Sequence, residues 1–244
     1  MPLDPLTLAA LLVTALLAAA LAGVLGMGGG LALLGMMTAV LPAPVVVPLH
    51  GVVQLVSNST RTLVLLRHVA WRVFLVYAPP MLLGLAAATA LWSGDKLTFL
   101  RPAIGLFLLG FLAFRRWAPV LRNPPRWVYA LLGLVVGFAS VWIGSVGPLL
   151  APFFLRDDFT PEQVIATKAA CQSLSHLLKI PAFVVLGFDF QGHAALLGGL
   201  VVAVIVGTLV GRAILGRLPR KHFERLFEVL VGLLALWLVV GALL

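Results

Sequence analysis

Leu6 to Leu25 reads LTLAALLVTALLAAALAGVL and runs straight into Gly26-Met27-Gly28-Gly29-Gly30. An uncharged helix of that length covers about 30 Å, the thickness of a bilayer's hydrocarbon core. The glycines behind it read as a break from which a new helix opens. Working outward, Val73 to Leu91, Phe99 to Phe114, Trp127 to Ile143, Ala194 to Val210 and Phe227 to Leu244 approach or reach the same length. Of 244 residues, 62% are hydrophobic and 10% charged, which excludes a water-soluble globule. The sequence predicts an all-α, polytopic helical membrane protein whose solvent is the lipid bilayer.

Several function classes fall away at once. Cys171 is the lone cysteine, so neither an internal disulfide nor a Cys/His zinc fold is available. Met1-Pro2-Leu3-Asp4 lacks the basic region of a secretory signal, so the first apolar run is expected to stay as a membrane segment. The formal charge of +9 sits beside apolar spans, as in cytoplasmic loops, and does not point to nucleic acid. His50, His68, His176, His193 and His222 show no ligand spacing and no His-Glu-x-x-His motif, so no metal and no cofactor is expected. No Asp or Glu lies in the middle of any span with the exception of Glu228, which argues against an intramembrane enzyme and against a carboxylate-based cation carrier.

The chain reads as a duplication. Gly26 and Gly144, Gly29 and Gly147, Gln54 and Gln172, and Ser57 and Ser175 each lie 118 residues apart, and at the same offset His50 meets Lys168, Arg61 meets Lys179 and Leu31 meets Leu149. Polar residues repeating in register are hard to obtain by chance where polar residues are rare. The boundary falls between 1–122 and 123–244, with segments near 6–25, 30–41, 45–66, 71–92 and 98–116, then 127–143, 146–155, 161–184, 193–212 and 223–244. The second segment of each half is too short to span and suits a broken or re-entrant helix.

Basic residues set the orientation. Arg67 and Arg72, then Arg115, Arg116, Arg122 and Arg126, then Arg212, Arg217, Arg220, Lys221 and Arg225 form three regions expected in the cytoplasm, joined by Arg156. Lys96 and Arg101 fall outside, and Arg61, Lys168 and Lys179 at membrane depth. Such a distribution needs an odd number of crossings per half, which makes the repeats inverted and puts both termini outside.

Two features carry chemistry. Gly26 to Gly30 and Gly144-Ser145-Val146-Gly147-Pro148 each read as a break opening a helix, whose unpaired N–H groups and positive dipole end favour an anion. The alternative is that these glycines only let helices pack closely; a nucleotide loop is excluded because no strand precedes it. The second feature is a polar stripe on the third segment of each half. It comprises His50, Gln54, Ser57 or Asn58, and Arg61 in one half, and Lys168, Gln172, Ser175 or His176, and Lys179 in the other. Ionisable groups at that depth usually face a bundle interior or a wet cavity, the alternative being that Arg61 and Lys179 snorkel to headgroups.

These residues resemble a family. Gly26 to Gly30, His50 to Asn58, Arg61 and Trp71, together with Ala166 to Gln172 and Lys179-Ile180-Pro181, are similar to a sulfite exporter of the TauE/SafE type over nearly the whole chain. The resemblance implies a permease of the bacterial cytoplasmic membrane moving sulfur-containing anions such as sulfite or organosulfonates. One departure is Val146, where the first half has Gly28.

The resulting expectation is a secondary transporter, an exporter, alternating access between inverted repeats. The backbone at Gly28, Gly29, Gly30, Gly147, Pro148 and Leu149 would bind the anion. Gln54, Ser57, Asn58, Gln172, Ser175 and His176 would orient it, and Arg61 and Lys179 would supply charge. His50 and His176 are the candidates for proton coupling. The partners expected are a small anion, the bilayer and protons, with room for a homo-oligomer and none for nucleic acid. A passive anion channel and a membrane scaffold without transport are the competing readings.

Overall fold

The computed structural model describes residues 3–26, 28–92, 124–145, 147–154 and 158–214, with scattered positions in 102–113 and 225–240. Over these residues the helices are α1 (Pro5–Leu25), α2 (Gly29–Val40), α3 (Ala43–Val64), α4 (Trp71–Ala90), α5 (Arg126–Ile143), α6 (Gly147–Phe154), α7 (Pro161–Val185) and α8 (Ala194–Ile214). Short 3-10 turns, Leu66–His68 and Gln191–His193, precede α4 and α8. Most of the expected fifth segments, with Lys96, Arg101, Arg115, Arg116, Arg122, Arg156, Arg217, Arg220 and Lys221, lies outside the described residues.

Local chemistry sets the boundaries. Asp4 caps α1 by accepting from the Leu6 and Thr7 N–H groups at 3.0 Å each, with Pro5 in the first turn. The Thr7 side chain and backbone, as donors, hold the Asp4 carboxyl below the usual carboxylate range. Thr160 and Gln163 cap α7 reciprocally, at 2.9 and 3.3 Å. Pro5–Val24, Trp71–Ala90 and Gln191–Gly211 are long and apolar enough to cross a membrane. At 22 and 25 residues, α3 and α7 have the length but carry the polar stripes that lower their apolarity. With 12 and 8 residues, α2 and α6 reach only about 18 and 12 Å.

The helix frame recurs along the chain. Helices α1 and α5 end at Leu25 and Ile143, α2 and α6 begin at Gly29 and Gly147, and α3 and α7 begin at Ala43 and Pro161. Every one of these pairs is 118 positions apart. Packing follows the same rule: α1 lies along α8, α4 along α5, and α3 against α7. Since α1 corresponds to α5 and α4 to α8, the outer pairs exchange and the α3–α7 pair maps onto itself. Small residues make the outer contacts close, for a Cβ on Gly84 would strike the Leu134 carbonyl of α5, and one on Gly207 the Leu16 carbonyl of α1.

Side chains are distributed as lipid requires. Leu75 and Leu83 of α4, Leu131 and Val135 of α5, and Val202 and Leu209 of α8 are exposed. His50, Gln54, Ser57, Asn58 and Arg61 of α3 are buried, as are Thr167, Lys168, Ser175, His176 and Lys179 of α7. A soluble protein shows the reverse. The molecule is a multi-pass helical membrane protein with a polar interior built on α3 and α7.

Candidate functional site

Both glycine breaks take backbone that a side chain would strain. Gly28 caps α2 at φ 92°, and Gly144 ends α5 at φ 84°. From these points α2 and α6 start inside the bundle, and the two starts meet. Around Gly30, the Gln54 Oε1 and the Ser145 Oγ lie 3.1 and 3.3 Å from where a Cβ would stand, so a residue of the second break abuts the first. A Cβ on Gly147 would run into the Gln172 side chain.

Between them lies a narrow cavity. Among the described residues it is lined by Ala22, Gly28, Gly30, Leu31, Gln54, Arg61, Ser145, Gly147, Lys168 and Gln172. About 10 Å³ is open to water centres, room for about one molecule. Two cations and two carboxamides face this space, and no carboxylate does among the described residues. Moreover, the described carboxylates, Asp4, Asp158, Glu162 and Asp189, are all exposed, whereas the buried charges are Arg61, Lys168 and Lys179. A buried interior with charge of one sign suits a ligand of the other.

Hydrogen bonds show what each stripe residue does. Arg61, in the last turn of α3, donates to the Ser57 carbonyl at 3.3 Å and to the Asn58 Oδ1 at 2.9 Å. The Asn58 amide in turn donates to the Gln54 carbonyl at 2.9 Å. Ser57 and Asn58 therefore position Arg61 along one helix face. His50 Nε2 donates to the Gly30 carbonyl at 2.8 Å; because a carbonyl only accepts, the proton sits on Nε2 and the Nδ1 lone pair is left without a partner. Lys179 Nζ donates to the Gly144 carbonyl, a cation at the negative end of α5.

Across the α3–α7 contact the His50 and His176 rings meet edge to face, with centroids 5.9 Å apart. His176 Nδ1 and Ser175 Oγ are buried without a hydrogen-bond partner.

Of the residues the sequence assigns to anion binding, Gly28, Gly30, Gln54, Arg61, Gly147 and Gln172 line the cavity. Gly29 is held tightly against the Ala18 carbonyl of α1. Ser57, Asn58, Ser175, His176 and Lys179 are buried nearby in the arrangements just described, and Pro148 and Leu149 form the first turn of α6. Neither Arg61 nor Lys179 snorkels, being 6% and 1% exposed. The binding set read from the sequence leaves out four lining residues, the polar Lys168 and Ser145 and the apolar Ala22 and Leu31. Lys168 shares the register position of His50 on its stripe, and Ser145 corresponds to Met27, which carries no polar signal.

A family model described as "Sulfite exporter TauE/SafE" matches residues 11–238. No curated protein and no solved structure matches the chain.

Proposed function

The chain belongs to the sulfite exporter TauE/SafE family, and on that premise we propose that it is a secondary transporter, not an enzyme, exporting small sulfur-containing anions across a bacterial cytoplasmic membrane. Family membership makes it a membrane transporter of sulfite-like anions. The observation that supports the binding site is the cavity with Arg61 and Lys168 on its wall and no carboxylate among the described lining residues. Gln54, Gln172 and Ser145 orient the oxygens, and the starts of α2 and α6 add backbone N–H groups. Lys179 braces the second break.

The halves, 1–122 and 123–244, act as inverted repeats that rock about the α3–α7 contact and expose the cavity to each side in turn. Room for about one water is less than a sulfur oxyanion needs, so loading requires the lining to part. So narrow a space is no open pore, which favours a carrier over a channel. The His50–His176 contact is the proton-coupling element, its two Nδ1 atoms lying buried without partners between the halves. An extra positive charge in this interior is costly unless a negative one accompanies it, so proton and anion travel together.

Uptake into liposomes carrying the purified protein tests the reading. A contact from a charged group contributes roughly 1.5 to 3 kcal/mol, so Arg61→Ala raises the half-saturating sulfite concentration at least about tenfold while the protein stays inserted. Unchanged sulfite transport in that variant overturns the site. Flux that never saturates would indicate a channel, and normal function with Gln54 and Gln172 both replaced a scaffold.

A further inference from the structure

We propose that Lys179 and Arg61 are alternating latches. In the structure Lys179 holds the Gly144 carbonyl and closes one end of the bundle; in the opposite state Arg61 takes the Gly26 carbonyl and Lys179 turns to Ser175 and His176. The inference rests on the rocking transporter proposed above and names the side chains that hold each of its states. Helices α3 and α7 run antiparallel, Gly51 lying beside Lys179 and Thr62 beside Ser173. Arg61 and Lys179 therefore sit toward opposite ends of their contact.

The two breaks share a seat. Gly26 and Gly144 both have positive φ, and a Cβ on Gly26 would press on Ile165 of α7 as one on Gly144 would on Val47 of α3. Ile165 stands 118 positions after Val47, so each break tucks under the other half's long helix at the same place. The cations differ. Lys179 holds the carbonyl of its own break, whereas Arg61 is turned along its helix to Asn58 Oδ1 at 2.9 Å and Ser57 Oγ at 3.5 Å. Val47, on the latched side, is 2% exposed, while Ile165 is only partly buried. Arg61 shares the cavity wall with Gly28, two residues from Gly26.

The second half keeps acceptors for the exchange. Ser175 and His176 are the counterparts of Ser57 and Asn58, and they precede Lys179 by the same four and three residues. Among the described residues, Ser175 Oγ and His176 Nδ1 are buried without a hydrogen-bond partner. Such orphaned atoms call for a reason, and a released Lys179 ammonium would satisfy them as Arg61 satisfies their counterparts. His176 Nδ1 accepts only while it carries no proton, so release of the latch and protonation of that atom exclude each other. Two packings that each pair both cations differ little in free energy, as a reversible switch requires.

Thiol labelling of the purified full chain tests the exchange, with Cys171 replaced by Ala and a single reporter, Val47→Cys or Ile165→Cys. Val47→Cys reacts with a maleimide only when the second break leaves its seat. Ser175→Ala removes an acceptor of the opposite state alone and is expected to slow that reaction about fivefold or more, whereas Asn58→Ala, which removes the closest acceptor of Arg61 in the structure, speeds it by a similar factor. Ile165→Cys stays unchanged or moves the other way, while a general loosening of the bundle would speed both reporters.

Val47→Cys labelling that Ser175→Ala leaves unchanged or speeds, that Asn58→Ala leaves unchanged or slows, or that moves together with Ile165→Cys overturns the latches. No labelling of Val47→Cys in a protein that still transports does the same. Should Asn58→Ala fail to fold, Ser175→Ala decides alone. Failure of the transporter reading is seen separately, as wild type that carries no sulfite into liposomes whatever the reporters do.

Discussion

The two halves share a frame and divide its labour differently. In the first, His50 of α3 holds the Gly30 carbonyl and Arg61 turns to the cavity. In the second, the residue at the His50 position is Lys168, which turns to the cavity, and the residue at the Arg61 position is Lys179, which holds the Gly144 carbonyl. Each half thus gives one cation to the space between them and one side chain to brace its own break, with the positions exchanged. The recurring pattern of caps and glycine breaks fixes where helices start and stop, since these signals act within a few residues. It does not fix where a long cationic side chain ends, which neighbours decide.

Gly29 and Gly147 break that comparison most sharply. A Cβ on Gly29 would collide with the Ala18 carbonyl, backbone that cannot yield without moving α1, whereas a Cβ on Gly147 meets only the mobile end of Gln172. Gly29→Ala is therefore expected to cost about 3 kcal/mol or more and to lower the yield of monodisperse protein in size-exclusion chromatography. Gly147→Ala should fold like wild type and show its effect in transport, through a displaced Gln172. Equal yields for the two would mean that the halves meet their neighbours alike at this position.

The two lysines of α7 come next. Lys179→Ala leaves the Gly144 carbonyl buried without its donor, a loss of about 1 to 3 kcal/mol, read as a drop in thermal unfolding temperature. Lys168→Ala removes a cation from the cavity wall and should show the larger loss of anion affinity. If both variants lost affinity and stability in the same proportion, the exchange of roles would be wrong.

What the sequence disclosed follows the range of the forces involved. Segment starts read near 30, 146 and 161 fall within one residue of those at Gly29, Gly147 and Pro161, because glycine breaks are written within a few residues; the Thr160–Gln163 cap of α7 emerges only from the structure. The polar interior was legible because His50, Gln54, Arg61 and their counterparts stand out on apolar helices at helical spacing. Lys168 was not assigned to the binding set because periodicity places a residue on a face and says nothing of which of two nearby acceptors or spaces a flexible side chain reaches. Ser145 stands in the second break but outside the binding set for another reason: it meets Gly30, 115 positions away in sequence, and no local pattern reports such a meeting.

The smallest expected effect concerns the two histidines, and it separates structure from transport. His50 has a carbonyl to hold and His176 has none shown, so His50→Phe costs about 1 kcal/mol while His176→Phe, which keeps an aromatic ring against its neighbour, is near neutral for stability. A proton-coupling role makes the opposite prediction for function, because a proton passing between the halves needs both rings. Sulfite flux into liposomes loaded with a pH-sensitive dye measures the two together: wild type acidifies the side the anion reaches, and either variant moves anion without acidification or stops. A His176→Phe protein that still acidifies the lumen in step with sulfite would confine His176 to packing, and would leave His50 with only its bond to the Gly30 carbonyl.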